Sequence, residues 1–137
     1  MLFRSHDFVA LVKVMEYSDY IESVTMNPEN RLPYSMTVEI VKLYKGKETR
    51  KRIKIWGDNG MLCRPYTSNF EVGGYYLITP REIAHDSEFG KAHDYEFFSC
   101  WSDYLKVDLD KKVAEGNYSR WKSKISLEKF EKKLKEQ

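Results

Sequence analysis

Tyr34-Ser35-Met36-Thr37-Val38-Glu39-Ile40-Val41-Lys42-Leu43-Tyr44 is the stretch whose reading decides the fold class. Tyr34, Met36, Val38 and Ile40 alternate with polar residues, the period of a half-buried strand. The apolar phase then moves by one residue, to Val41 and Leu43. A β-bulge produces that slip, and bulges bend a sheet hard enough to close a small barrel. Lys45-Gly46-Lys47 reads as a turn, and Arg52–Trp56 as the returning strand, with Ile53 and Ile55 inward. Upstream, Asp7–Tyr17 is apolar on both faces, as a central strand is. The polar segment Ser18–Pro33, with Asn27-Pro28 and Pro33 as breakers, reads as a long loop.

Downstream, Gly57-Asp58-Asn59-Gly60 is a dense turn signal, and Met61–Asn69 has no period. Phe70–Gly74 turns into a strand over Tyr75–Pro80. Ile83–Ala92 reads as a polar loop, and Tyr95–Trp101 as a fifth strand. Five strands suit a small closed barrel. Leu109–Glu115, followed by Gly116, reads as a short helix with a glycine cap. Ser126–Gln137 reads as a longer one. Ser126 is its N-cap, Ile125 and Phe130 form a staple, and Leu127, Phe130 and Leu134 make one apolar stripe. Lys132, Lys133 and Lys135 suit the negative end of its dipole.

Composition bounds the function. The chain has 137 residues, 23 Lys plus Arg against 21 Asp plus Glu, and 15% aromatic residues including ten Tyr. That is one domain with room for one core and a lean toward β-structure. A net charge of +2 argues against a dedicated DNA-wrapping protein. The longest apolar runs, such as Phe8–Val12, are far short of the ~20 residues a membrane helix needs. Two cysteines, Cys63 and Cys100, do not make a disulfide scaffold.

The order of motifs resembles the netrin-like domains, whose best-known members are the tissue inhibitors of metalloproteinases. Phe8–Val14 looks like their first strand. Thr37–Gly46 resembles their second strand, bulge and turn. Cys63 followed by Phe70-Glu71-Val72-Gly73-Gly74-Tyr75-Tyr76-Leu77-Ile78 is similar to the cysteine loop that enters a Gly-x-x-Tyr-Leu strand in bacterial relatives. Cys100 stands where the family has a cysteine ending strand five. The resemblance implies a mainly β chain: a five-stranded OB-type barrel over residues 1–110, with residues 111–137 a helical extension packed on it. The family opens with Cys-x-Cys before its first strand, and this sequence has no cysteine before Cys63. Zinc-chelating protease inhibition is therefore not supported. The resemblance also implies that Cys63 and Cys100 lie close together, as a disulfide or a thiol pair. It further implies that the natural precursor carries a signal peptide, so the expected setting is extracytoplasmic: secreted, periplasmic or lipid-anchored.

Other constellations are weaker. Neither cysteine has a neighbouring base that would make it a nucleophile, and no Cys-x-x-Cys marks a structural zinc site. Three His-Asp pairs occur: His6-Asp7, His85-Asp86 and His93-Asp94. His85 and His93 flank the Gly90 turn and define an alternative reading as a metal-dependent enzyme, though solvated loop residues explain them more simply. Lys45, Lys47, Arg50, Lys51, Arg52 and Lys54 form a basic run that, with Tyr44, Trp56, Tyr75 and Tyr76, defines a second alternative, a single-stranded nucleic-acid binder. A charged hairpin tip guarding a sheet edge is the plainer account.

The expected function is a non-catalytic protein-binding module with no cofactor and no bound metal. Its contact surface would be the loop end. Asp58, Asn59, Arg64, Tyr66 and Trp101 carry it, beside Cys63, Cys100 and the Ser18–Pro33 loop.

Overall fold

A computed structural model describes residues 6–22, 31–97, 104–116 and 124–135. The chain is mainly β with one helix, as the alternating pattern predicts. Its strands are β1 (Val9–Glu22), β2 (Arg31–Lys45), β3 (Arg52–Trp56), β4 (Tyr75–Ile78), β5 (Arg81–Glu82), β6 (Tyr95–Glu96), β7 (Tyr104–Asp108), β8 (Val113–Glu115) and β9 (Lys124–Ser126). Helix α1 (Leu127–Lys135) follows. The nine strands make one mixed sheet in the order β5-β6-β3-β2-β1-β4-β7-β8-β9. Every pair is antiparallel except β3 with β6. The sheet thus has more strands than the five expected, and its ladders do not close into a ring among the described residues.

The slip at Ile40–Val41 is present. Leu11 pairs with Lys42 but Val12 pairs with Ile40, so Val41 is the extra residue. It is exposed rather than inward, while Ile40 and Leu43 keep the core face. Two further irregularities, between Val9 and Ala10 and between Val14 and Glu16, add bend to the same pair of strands.

Strand β1 lies between β2 and β4, and its two apolar faces serve two cores. Ala10, Val12 and Val14 join Met36, Val38, Ile53, Ile55, Tyr76 and Phe97 on one face. Val9 and Leu11 join Leu77, Leu105, Val107, Ala114 and the helix residues Phe130 and Leu134 on the other. The helix begins as its sequence predicts: the Lys129 N–H donates to Ser126 Oγ at 3.2 Å, an N-cap bond. Ile125 and Phe130 are buried in the same cluster.

Three expectations need correction. Ser18–Pro33 is not all loop, because β1 continues to Glu22 and β2 begins at Arg31. Its apolar contacts among the described residues are few and local: Leu32 and Pro33 are buried, and Ile21 packs on a small cluster of Tyr34, Trp56 and Ile83. Leu109–Glu115 is not a helix. Asp108 Oδ1 accepts the N–H groups of Asp110 and Lys111, Lys112 turns left-handed at φ 52°, and β8 follows. Gly116 is no helix cap: a Cβ there would lie 2.9 Å from Leu105 Cδ2 and 3.0 Å from the Tyr104 carbonyl oxygen, so close packing on β7 requires glycine. Of the expected fifth strand, β6 covers Tyr95–Glu96; residues 98–101 lie outside the described residues, and a further strand stands at Tyr104–Asp108.

Candidate functional site: a braced loop end

The segment 57–66 is a compact loop with its ends in contact. The Gly57 N–H donates to the Tyr34 carbonyl at 2.9 Å, and the Asp58 N–H to the Pro65 carbonyl at 3.1 Å. A Cβ on Gly57 would sit 2.7 Å from that Pro65 oxygen, so only glycine lets the two loop ends meet. Thr67, at the exit, donates its hydroxyl to the Pro33 carbonyl at 2.6 Å and is fully buried.

Asp58 organises the interior of this loop. It is buried, and its carboxylate accepts the N–H groups of Gly60 (2.6 Å), Leu62 (3.1 Å) and Arg64 (3.2 Å). Asn59 does the same locally, accepting the Met61 N–H at 2.9 Å. Arg64 is a bracket: its side chain is only 11% exposed. One amino group donates to Glu96 Oε2 on β6 at 2.9 Å, and the other reaches the Phe89 and Gly57 carbonyls at 3.3 and 3.5 Å. Glu96 also accepts from Arg81 Nε at 2.8 Å. The loop is thereby fastened to β6 and to the 83–94 hairpin. At its tip Met61 stands 74% exposed.

Of the expected surface residues, Asp58 and Arg64 are committed to internal bonds. Asn59 and Tyr66 are half-buried. Trp101 and Cys100 lie outside the described residues. Cys63 lies on the exposed side of the loop. Sequence reading missed Glu96 and the Phe89 carbonyl. No local signal marks either, because Arg64 and Glu96 are 32 residues apart.

In the two downstream His-Asp pairs the aspartate has the structural task. Asp86 accepts the Ala92 N–H at 2.8 Å, and Asp94 accepts the Trp56 indole N–H at 3.0 Å. His85 and His93 are exposed. His93 has a left-handed backbone at φ 71° and lies 3.7 Å from Glu82. Among the described residues no three His, Cys, Asp or Glu side chains converge as metal ligands, so the metal-enzyme alternative has no assembled site.

The basic run is largely neutralised in place. Arg50 grips Glu48 with two bonds of 3.0 and 2.7 Å, Lys51 lies 3.1 Å from Glu39, and Lys54 lies 2.9 Å from Asp19. Lysines and arginines that neutralise phosphates displace the counterions held there, and Arg50, Lys51 and Lys54 already face carboxylates of this chain.

Compared with protein-family models, with curated proteins and with solved structures, the chain matches none. Among the described residues no helix is long and apolar enough to cross a membrane.

The opposite end of β3 carries one strongly shifted group. Glu48, 7% exposed, is held at about 2. The Arg50 guanidinium does most of this, against the cost of burial. The Arg50 backbone N–H and the Tyr95 hydroxyl at 2.9 Å add to it.

Proposed function

We propose that the chain is a non-catalytic protein-binding module that engages its partner through the loop end, on a frame of the netrin-like, OB-barrel kind. The observation that carries the reading is the pairing of an exposed apolar tip, Met61, with a backbone pinned by Asp58 and Arg64. A loop fixed before binding loses little conformational entropy on docking, and an apolar side chain on it can act as an anchor.

The barrel reading is supported by where the last strands go. Strand β6 runs parallel to β3, whereas β7, seven residues further on, runs antiparallel to β4. The Phe70 ring touches Phe97, just after β6, at 5.2 Å and Tyr104, the first residue of β7, at 4.6 Å between centroids. A Cys63–Cys100 disulfide, which the resemblance implies, would tie the loop to the chain ahead of β7. Such a disulfide would go with an extracytoplasmic setting.

The test is affinity capture from the native source with three immobilised proteins: wild type, Met61→Asp, and Lys51→Glu/Arg52→Glu. The reading expects a protein retained by wild type and by the basic-face variant, and reduced about tenfold or more by Met61→Asp. Retention indifferent to Met61→Asp overturns it. So does retention of nucleic acid lost with the basic-face variant.

A further inference from the structure

We propose that a cleft beside the loop end, between the β2–β3 face and the Ser87–Gly90 turn, binds a neutral, hydroxyl-rich ligand of the saccharide class. The cleft encloses about 380 Å³ and is lined by Asp19, Tyr20, Tyr34, Trp56, Glu88 and Lys91, among others. That volume lies in the lower part of the range for small-molecule sites.

Tyr34 is the reason to look here. It is 5% exposed, and its hydroxyl is the one buried side-chain polar atom without a hydrogen-bond partner among the described residues. Such a group costs stability unless something satisfies it. Burial holds the phenol protonated, with Asp58, Glu88 and Glu96 reinforcing this and Arg64 opposing it. It is therefore both a donor and an acceptor at neutral pH. Glu88 belongs both to this set and to the cleft wall.

The remaining wall chemistry selects the ligand class. The side chains of Glu88 and Lys91 make no hydrogen bond among the described residues, although Lys91 lies in electrostatic reach of Asp19, so the cleft offers one carboxylate and one ammonium without a hydrogen-bond partner. Asp19 is already engaged by Lys54 and by the Ser35 hydroxyl. A cation entering would meet Lys91 and Lys54, and an anion would meet Glu88 and Asp19. A sugar hydroxyl, which donates and accepts, suits both of these groups and the Tyr34 hydroxyl together. Tyr20, 47% exposed, carries the Arg31 guanidinium 6.0 Å from its ring centre, so one aromatic face is left for the C–H side of a sugar ring. The Trp56 indole is less open: its N–H is bonded to Asp94, and Lys54 lies 5.5 Å from its ring centre.

This site is separate from the protein-docking tip, so the two readings fail independently. The experiment is a titration of ¹⁵N-labelled protein with maltotriose and with tri-N-acetylchitotriose. It follows the Trp56 indole and the amides of residues 87–91. At least one of these sugars should shift those signals saturably, with a Kd of about 1 mM or tighter. Tyr34→Phe removes an unsatisfied hydroxyl, so its melting temperature should equal or exceed that of wild type, while its affinity falls about fivefold. Met61→Asp should bind the sugar as wild type does. No saturable shift with either sugar overturns the proposal. Shifts with N-acetyl-lysine amide or with acetate but not with the sugars also overturn it, as does a Tyr34→Phe variant that binds as tightly as wild type.

Discussion

Asp58 accepts three backbone N–H groups from a buried position, which leaves its loop with little freedom. Asp58→Ala strands those donors together, and hydrogen bonds to a charged acceptor are worth about 1.5–3 kcal/mol each before compensation by water. The expected loss is about 3 kcal/mol of unfolding free energy, read from urea denaturation, with Asn59→Ala costing well under half as much. Glu48 makes a pH prediction. Its folded pKa, about 2, lies below the ordinary value of 4.5. Its contribution is therefore full above about pH 4.5 and is lost as pH falls toward about 2. Arg50 is 42% exposed, so solvent screening trims the effect to about 2 kcal/mol. Glu48→Gln should be less stable than wild type by that amount near neutral pH, and the two unfolding curves should converge near pH 2. At this scale the sequence reads unevenly. The turn at Gly57–Gly60 is legible from its composition. The inward use of Asp58 is not, because the same residues suit an exposed turn equally well.

Strand β2 shows what elements reveal and conceal. Its bulge at Val41 is visible as a change of phase, because burial imposes a period of two and any extra residue shifts it. The arm formed by the end of β1 and the start of β2 escapes notice for the converse reason. Ser18, Asp19 and Tyr20 are paired across to β2 or beside that pairing but are half-buried or exposed, and the arm's apolar contacts are limited to residues such as Ile21 and Leu32, so no period marks it. Helix α1 is legible from its cap and stripe. Its docking is anchored by Phe130, fully buried and 5.9 Å from the Tyr44 ring. The Tyr44 hydroxyl and Lys42 both reach Glu131, at 2.8 and 3.0 Å. Phe130→Ala should cost about 3–5 kcal/mol in urea unfolding, whereas Lys42→Ala, which removes an exposed pair, should cost under about 1 kcal/mol.

The whole molecule is a bent sheet with a core on each face. Its β6 and β7 strands reach opposite sides of that sheet. Alternating residues make the sheet legible from sequence. Its long-range pairings are not, because they join segments distant in the chain, such as Ile55 with Tyr95. If Cys63 pairs with Cys100, thiol titration of unreduced protein in denaturant should find no free thiol, and two after reduction. Two free thiols before reduction would contradict it. The functional account rests on a loop that is rigid before any partner arrives. Backbone ¹⁵N relaxation of the free protein measures this directly. The account predicts order parameters of about 0.85 for the amides of residues 58–64, equal to those of β3. Values below about 0.6 there, with β3 still rigid, would contradict it.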